Sequence, residues 1–245
     1  MRREEVSIPT ADRRAMPAYY VRPEGEAARP GILIIHEIFG LTPEIRAVAE
    51  RMAERGYAAL VPDLYHRGGA KVLCIARALT ALRRGQGDAF GDLESARTWL
   101  AGQAEVDGEK LGVMGFCMGG GFAILLAARG PFEAAGVWYG EVPRQLDAVR
   151  GICPTVASYG ALDRPLVGQG ERLEAFLSAL GVDHDVRTYE SVGHAFAFPP
   201  AASTLVMGLS KLAGMNVRYD PDVAADAWLR VDQFFAEHLG GGAAS

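Results

Sequence analysis

One segment restricts the fold more than any other. Residues 111–116 (LGVMGF) form a compact apolar run, as expected of a strand covered on both faces. It leads into Gly115-Phe116-Cys117-Met118-Gly119-Gly120-Gly121 and then into a second apolar stretch that reads as a helix from 118 to about 129. A buried strand turning directly into a helix through glycines fits a layered α/β protein and few other classes.

The rest of the chain repeats that alternation. Residues 6–8 and 18–21 read as short opening strands, and 31–35 (GILII) as a strand buried on both faces. In 42–55, Ile45, Val48, Ala49, Met52 and Ala53 fall on one side of a helix, with Thr42 as its cap, Pro43 in the first turn and Gly56 after its end. Further strands are expected at 57–61, 134–139, 155–159 and 186–189, and helices at 74–84, 91–102, 167–180 and 221–239. The expectation is a mostly parallel sheet flanked by helices on both faces, in a single domain over 1–245 with a flexible tail at 240–245.

Composition excludes several classes. At 245 residues, 49% hydrophobic and 22% charged, the chain can bury one large core. A net charge of -5 argues against a general nucleic-acid binder. The three cysteines, Cys74, Cys117 and Cys153, have neither disulfide-framework nor metal-ligand spacing. With no apolar leader and no run of about 18 apolar residues, a cytoplasmic protein off the membrane is expected.

The glycine-rich turn also carries chemistry. Gly115-Phe116-Cys117-Met118-Gly119 is a G-x-S-x-G nucleophile elbow with cysteine in the serine position. A sharp turn there lifts the side chain clear of the sheet edge, and the following helix N-terminus favours a thiolate. A buried cysteine beside a packing turn would use similar residues. Chain order favours catalysis: Asp163 follows the strand at 155–159, and His194 follows the one at 186–189. Nucleophile, acid and base thus occur in the order of an α/β-hydrolase, each after a strand.

With these in place, the chain resembles the dienelactone hydrolase family of α/β-hydrolases from about residue 6 to 239. The resemblance rests on six segments: His36-Glu37-Ile38-Phe39-Gly40, Pro62-Asp63-Leu64-Tyr65, Gly91-Asp92-Leu93-Glu94, Gly115-Phe116-Cys117-Met118-Gly119-Gly120, Tyr159-Gly160-Ala161-Leu162-Asp163 and Gly193-His194-Ala195-Phe196. It implies an α/β-hydrolase fold and a Cys117-His194-Asp163 triad. It also implies an oxyanion hole from the N–H groups of Ile38 and Met118, and cleavage of an enol-lactone or activated ester with no metal or cofactor. Glu37 matches a glutamate that in the family keeps the resting thiol protonated and helps to activate it. A purely loop-shaping role for Glu37 is the alternative.

Two departures bear on substrate. Members of the family bind a substrate carboxylate with two arginines, one of them four residues after the histidine. Here that position is Phe198. The second would come from 74–84, where Arg77, Arg83 and Arg84 are available. Phe39, Phe198 and Arg77 are therefore the candidate substrate-binding residues, and a neutral or bulkier ester gains ground over a small anionic lactone. The other departure is a segment, 203–216, with apolar residues at helical spacing, which fits a lid over His194 or a dimer contact. A small-molecule substrate is expected, in a monomer or homodimer. A broader carboxylesterase or thioesterase with an apolar pocket, and a non-catalytic binding protein on the same fold, stay open as alternatives.

Overall fold

A computed structural model describes residues 1–199 and 216–241. Its centre is one eight-stranded sheet in the order β1-β2-β4-β3-β5-β6-β7-β8. The strands are β1 (Arg2–Pro9), β2 (Ala15–Arg22), β3 (Arg29–Ile35), β4 (Ala58–Pro62), β5 (Val106–Phe116), β6 (Ala134–Trp138), β7 (Thr155–Gly160) and β8 (His184–Tyr189). β1 and β2 pair antiparallel, as do β2 and β4, and all other neighbours run parallel.

The helices are α1 (Pro43–Glu54), α2 (Lys71–Arg84), α3 (Asp88–Ala101), α4 (Met118–Ala127), α5 (Gln169–Leu180) and α6 (Pro221–Leu239). They cover both faces. Leu33 and Ile35 of β3 pack into a core shared with α2 to α5, whereas Ile32 and Ile34 pack into a second core shared with α1 and α6. That division explains why 31–35 is apolar at every position instead of alternating. All ten residues of α4 are buried, in keeping with its lack of a polar side. Thr42 caps α1 as expected, its Oγ1 accepting the Ile45 N–H at 3.4 Å.

The fold matches the expected class, with the opening strands longer than their apolar patterns. β1 and β2 extend over eight residues each because their backbone ladder carries them through positions where β1 is largely exposed and polar. The helix expected at 167–180 is α5, which begins two residues later at Gln169, and a short 3-10 turn, Arg164–Leu166, precedes it. The possible lid at 203–216 falls, apart from Asn216, outside the described residues, as does most of the tail at 240–245. Among the described residues no helix is long and apolar enough to cross a membrane.

Candidate functional site

Because β3, β5, β6, β7 and β8 are parallel, their carboxyl ends share one edge of the sheet, where α/β proteins place their ligands. Glu37 follows β3, Cys117 follows β5, Tyr139 follows β6, Asp163 follows β7 and His194 lies beyond β8.

Cys117 occupies the elbow between β5 and α4, with φ 55° and ψ -117°. A positive φ strains a residue with a side chain and persists only where the surroundings enforce it. Here β3 and α4 press together without side chains between them. A Cβ on Gly115 would lie 2.0 Å from the Gly119 carbonyl oxygen, and one on Gly119 would lie 2.2 Å from that of Ile35. The Cys117 N–H is tied to the Trp138 carbonyl at 3.0 Å, and its side chain is half-buried.

Asp163 and His194 meet as the chain order suggests. Asp163 is fully buried, with Oδ2 2.6 Å from His194 Nδ1. A carboxylate only accepts, so Nδ1 donates and Nε2 is left for Cys117. The His194 N–H donates to the Asn216 carbonyl at 2.8 Å, which fixes the loop from below. Burial disfavours the charged imidazole, but the charge of Cys117 and hydrogen bonds with Asp163 and Cys117 outweigh it and hold the His194 pKa well above its ordinary value. A raised imidazole pKa makes His194 a stronger proton acceptor, as a general base requires.

Glu37 is half-buried beside this pair. Loss of solvent pushes its carboxyl pKa up, while the charge of His194 and a hydrogen bond from Tyr139 only partly oppose the shift. The Tyr139 hydroxyl is 3.3 Å from Glu37 Oε1, and its ring centroid is 5.0 Å from that of His194. Burial and the nearby charges of Glu37, Cys117 and Asp163 raise the phenol pKa, so Tyr139 stays a neutral donor at the centre of the cluster. Sequence reading takes Tyr139 as the last residue of a buried strand. It instead follows β6 with φ 40°, ahead of Gly140. A bulky aromatic before a glycine at a strand's carboxyl end was the available signal.

Ile38 and Met118 flank the elbow. Neither N–H donates to another described group, so both are free for a ligand oxygen among the described residues. His36 was also missed: its ring is fully buried and bonds backbone groups on two loops.

The proposed substrate contacts are scattered. Phe39 is half-buried in the Glu37 loop, with its carbonyl accepting from Lys71 Nζ at 2.9 Å. Phe198 packs onto the second core, its ring 5.1 Å from Phe116 and 6.5 Å from Trp228. Arg77 is exposed on α2 and lines a cavity of about 450 Å³ between α2 and α3, whose walls include none of Glu37, Cys117, Asp163 or His194. Among the described residues one group could hold a metal ion, Asp183, Glu237 and His238. It lies before β8 and at the end of α6, at the opposite end of the sheet.

The geometry brings Glu37, Cys117, Tyr139, Asp163 and His194 together at one edge of the sheet. The model of the dienelactone hydrolase family matches residues 16–239 of the chain. A carboxymethylenebutenolidase-like protein of Methylorubrum extorquens is 31% identical over 250 residues, spanning 96% of this chain and 80% of that protein. The carboxymethylenebutenolidase of Rhodococcus opacus is 29% identical, covering 87% of this chain and 83% of its own length. A solved dienelactone hydrolase-like promiscuous phosphotriesterase from metagenomic libraries superposes with a TM-score of 0.81 at 25% identity, over 98% of this chain and 99% of that one.

Proposed function

The chain belongs to the dienelactone hydrolase family and is a carboxylic ester hydrolase, and from that premise we propose that it cleaves enol-lactones or activated esters through Cys117. The observation that carries the reading is the 2.6 Å contact between buried Asp163 and His194, set against a strained cysteine elbow.

Cys117 attacks the substrate carbonyl as a thiolate while His194 holds the proton, oriented by Asp163. The Ile38 and Met118 N–H groups receive the developing oxyanion, each contributing about 3–4 kcal/mol in comparable sites. The tetrahedral adduct collapses to a thioester as His194 protonates the leaving oxygen. His194 then takes a proton from water, which attacks the thioester and frees Cys117. Glu37, with its carboxyl pKa raised by burial, accepts or returns a proton beside the thiol and tunes how much thiolate rests there.

Sulfur leaves a tetrahedral adduct more readily than an alkoxide does. Turnover is therefore efficient when the other leaving group is an enolate or phenolate, and slow with simple alkyl esters.

The position of Phe198 favours a neutral substrate with apolar bulk over a small anionic lactone. No arginine stands there, and Arg77 lies in a separate cavity. The test is hydrolysis of a dienelactone and of p-nitrophenyl acetate by wild type and by Cys117→Ala. Loss of both activities in the variant supports the nucleophile. A wild-type rate on the aryl ester far above that on the lactone selects the broader esterase. Unchanged hydrolysis by Cys117→Ala sinks the mechanism.

A further inference from the structure

His36 is enclosed by the protein, and backbone groups engage both its ring nitrogens. Nδ1 lies 2.6 Å from the Glu37 carbonyl oxygen, and Nε2 lies 3.2 Å from the Leu64 nitrogen. A carbonyl only accepts and a backbone N–H only donates. The ring is therefore neutral with its proton on Nδ1. Burial favours that neutral form and lowers the His36 pKa, against weaker opposition from the Glu37 carbonyl and Asp63.

The Glu37 carbonyl also accepts the Gly40 N–H at 3.1 Å, which closes the loop after β3 into a tight turn. That carbonyl belongs to the same planar peptide unit as the Ile38 N–H. In a trans peptide the two point in opposite directions, so anchoring the oxygen sets where the N–H aims. A short hydrogen bond to the oxygen also polarises the amide and strengthens the N–H as a donor. The next carbonyl, that of Ile38, accepts the Tyr65 hydroxyl at 2.9 Å. The elbow packs against the start of this loop: a Cβ on Gly119 would lie 2.8 Å from the His36 carbonyl oxygen.

We infer that His36 is a positioning residue that aims and polarises the Ile38 N–H through the Glu37–Ile38 peptide. Its Nε2 meanwhile ties this loop to the one after β4. The inference rests on the reading of Ile38 as an oxyanion donor in ester hydrolysis.

Two substitutions separate the two ring nitrogens. His36→Asn puts an amide N–H where Nδ1 stands and keeps the donor to Glu37. His36→Gln reaches Leu64 but leaves the Glu37 carbonyl without that donor. His36→Gln is expected to lower kcat on p-nitrophenyl acetate roughly 10- to 100-fold, a part of the loss seen when one oxyanion donor is removed. KM should stay within about threefold, because the carbonyl is not yet an oxyanion in the ground state. Alkylation of Cys117 by iodoacetamide, which develops no oxyanion, should proceed at the wild-type rate. His36→Asn should recover most of kcat.

A folded His36→Gln with wild-type kcat overturns the inference. So does alkylation that falls in step with hydrolysis, since that marks general distortion of the site. If neither variant folds, ¹H–¹⁵N spectra of the wild-type imidazole decide: a proton on Nδ1 alone supports the role, and a proton on Nε2 overturns it. Should Cys117→Ala hydrolyse the ester at the wild-type rate, the underlying mechanism fails instead, whatever the His36 variants do.

Discussion

The loops after β3 and β8 each carry a buried histidine to the same edge of the sheet, and the two rings have opposite charge preferences. Among the described residues His36 hydrogen-bonds only to backbone, so desolvation dominates and the neutral ring is favoured. His194 is almost as buried but meets the Asp163 carboxylate and the Cys117 thiol, and the protonated ring is favoured. Burial alone does not make a histidine a base. The charge of its partners decides whether it holds a proton or a loop.

The largest expected effect breaks the His194 side of this contrast. Cys117→Ala should lower ester hydrolysis by at least roughly 10⁴-fold, leaving only what the oxyanion donors and binding supply. Asp163→Asn should come next, with kcat reduced roughly 10³- to 10⁴-fold in steady-state assays, because the imidazole loses its orienting anion. It should also lower the His194 pKa toward the His36 condition. An Asp163→Asn enzyme with an unshifted imidazole titration would contradict the assigned cause.

Stability against pH should sharpen the same contrast. The raised His194 pKa adds stability that is complete below the unfolded value, about 6.5, and fades as pH rises through the native value. Asp163→Asn should therefore cost more stability near pH 6 than near pH 9, read from urea midpoints at about those pH values. His36 has the reverse sign. Its lowered pKa makes the unfolded chain the better proton acceptor, so it draws stability down as pH falls below about 6.5. A cost for Asp163→Asn that grows with pH would reverse the assignment.

Tyr139→Phe should be milder, roughly 3- to 10-fold in kcat. Its hydroxyl helps to lower the Glu37 pKa, so the variant should move the Glu37 titration to higher pH. The pH–rate profile checks this, and an unchanged acid limb would leave Glu37 without a part in activation. Smallest for activity is Thr42→Ala, which removes the cap of α1 just beyond the His36 loop. It should cost about 1 kcal/mol in denaturant midpoints while kcat stays at the wild-type value. A drop in kcat would mean that the α1 cap also sets the loop.

Much of this was legible in the sequence, for identifiable reasons. The elbow is visible because three chemical demands coincide within it: a two-sided buried strand, glycines where β3 and α4 touch, and a nucleophile between them. Asp163 and His194 are visible through chain order, since each follows a strand. His36 and Tyr139 were not, because their roles depend on what lies opposite them. Nothing in the sequence around His36 shows that Leu64 faces its ring. Tyr139 looks like core until its hydroxyl is seen on Glu37. The substrate side was the least legible. A residue count finds Phe198 where an arginine was expected, but only the fold shows its ring against Phe116 and Arg77 in another cavity.

The most direct measurement is rapid quenching of the wild-type enzyme during p-nitrophenyl acetate turnover, followed by peptide mapping. A single acetyl group on Cys117, formed in a burst of p-nitrophenol and absent in Cys117→Ala, is the expected result. Acetyl on another residue, or turnover with no covalent intermediate while Cys117→Ala remains active, would contradict the cysteine mechanism.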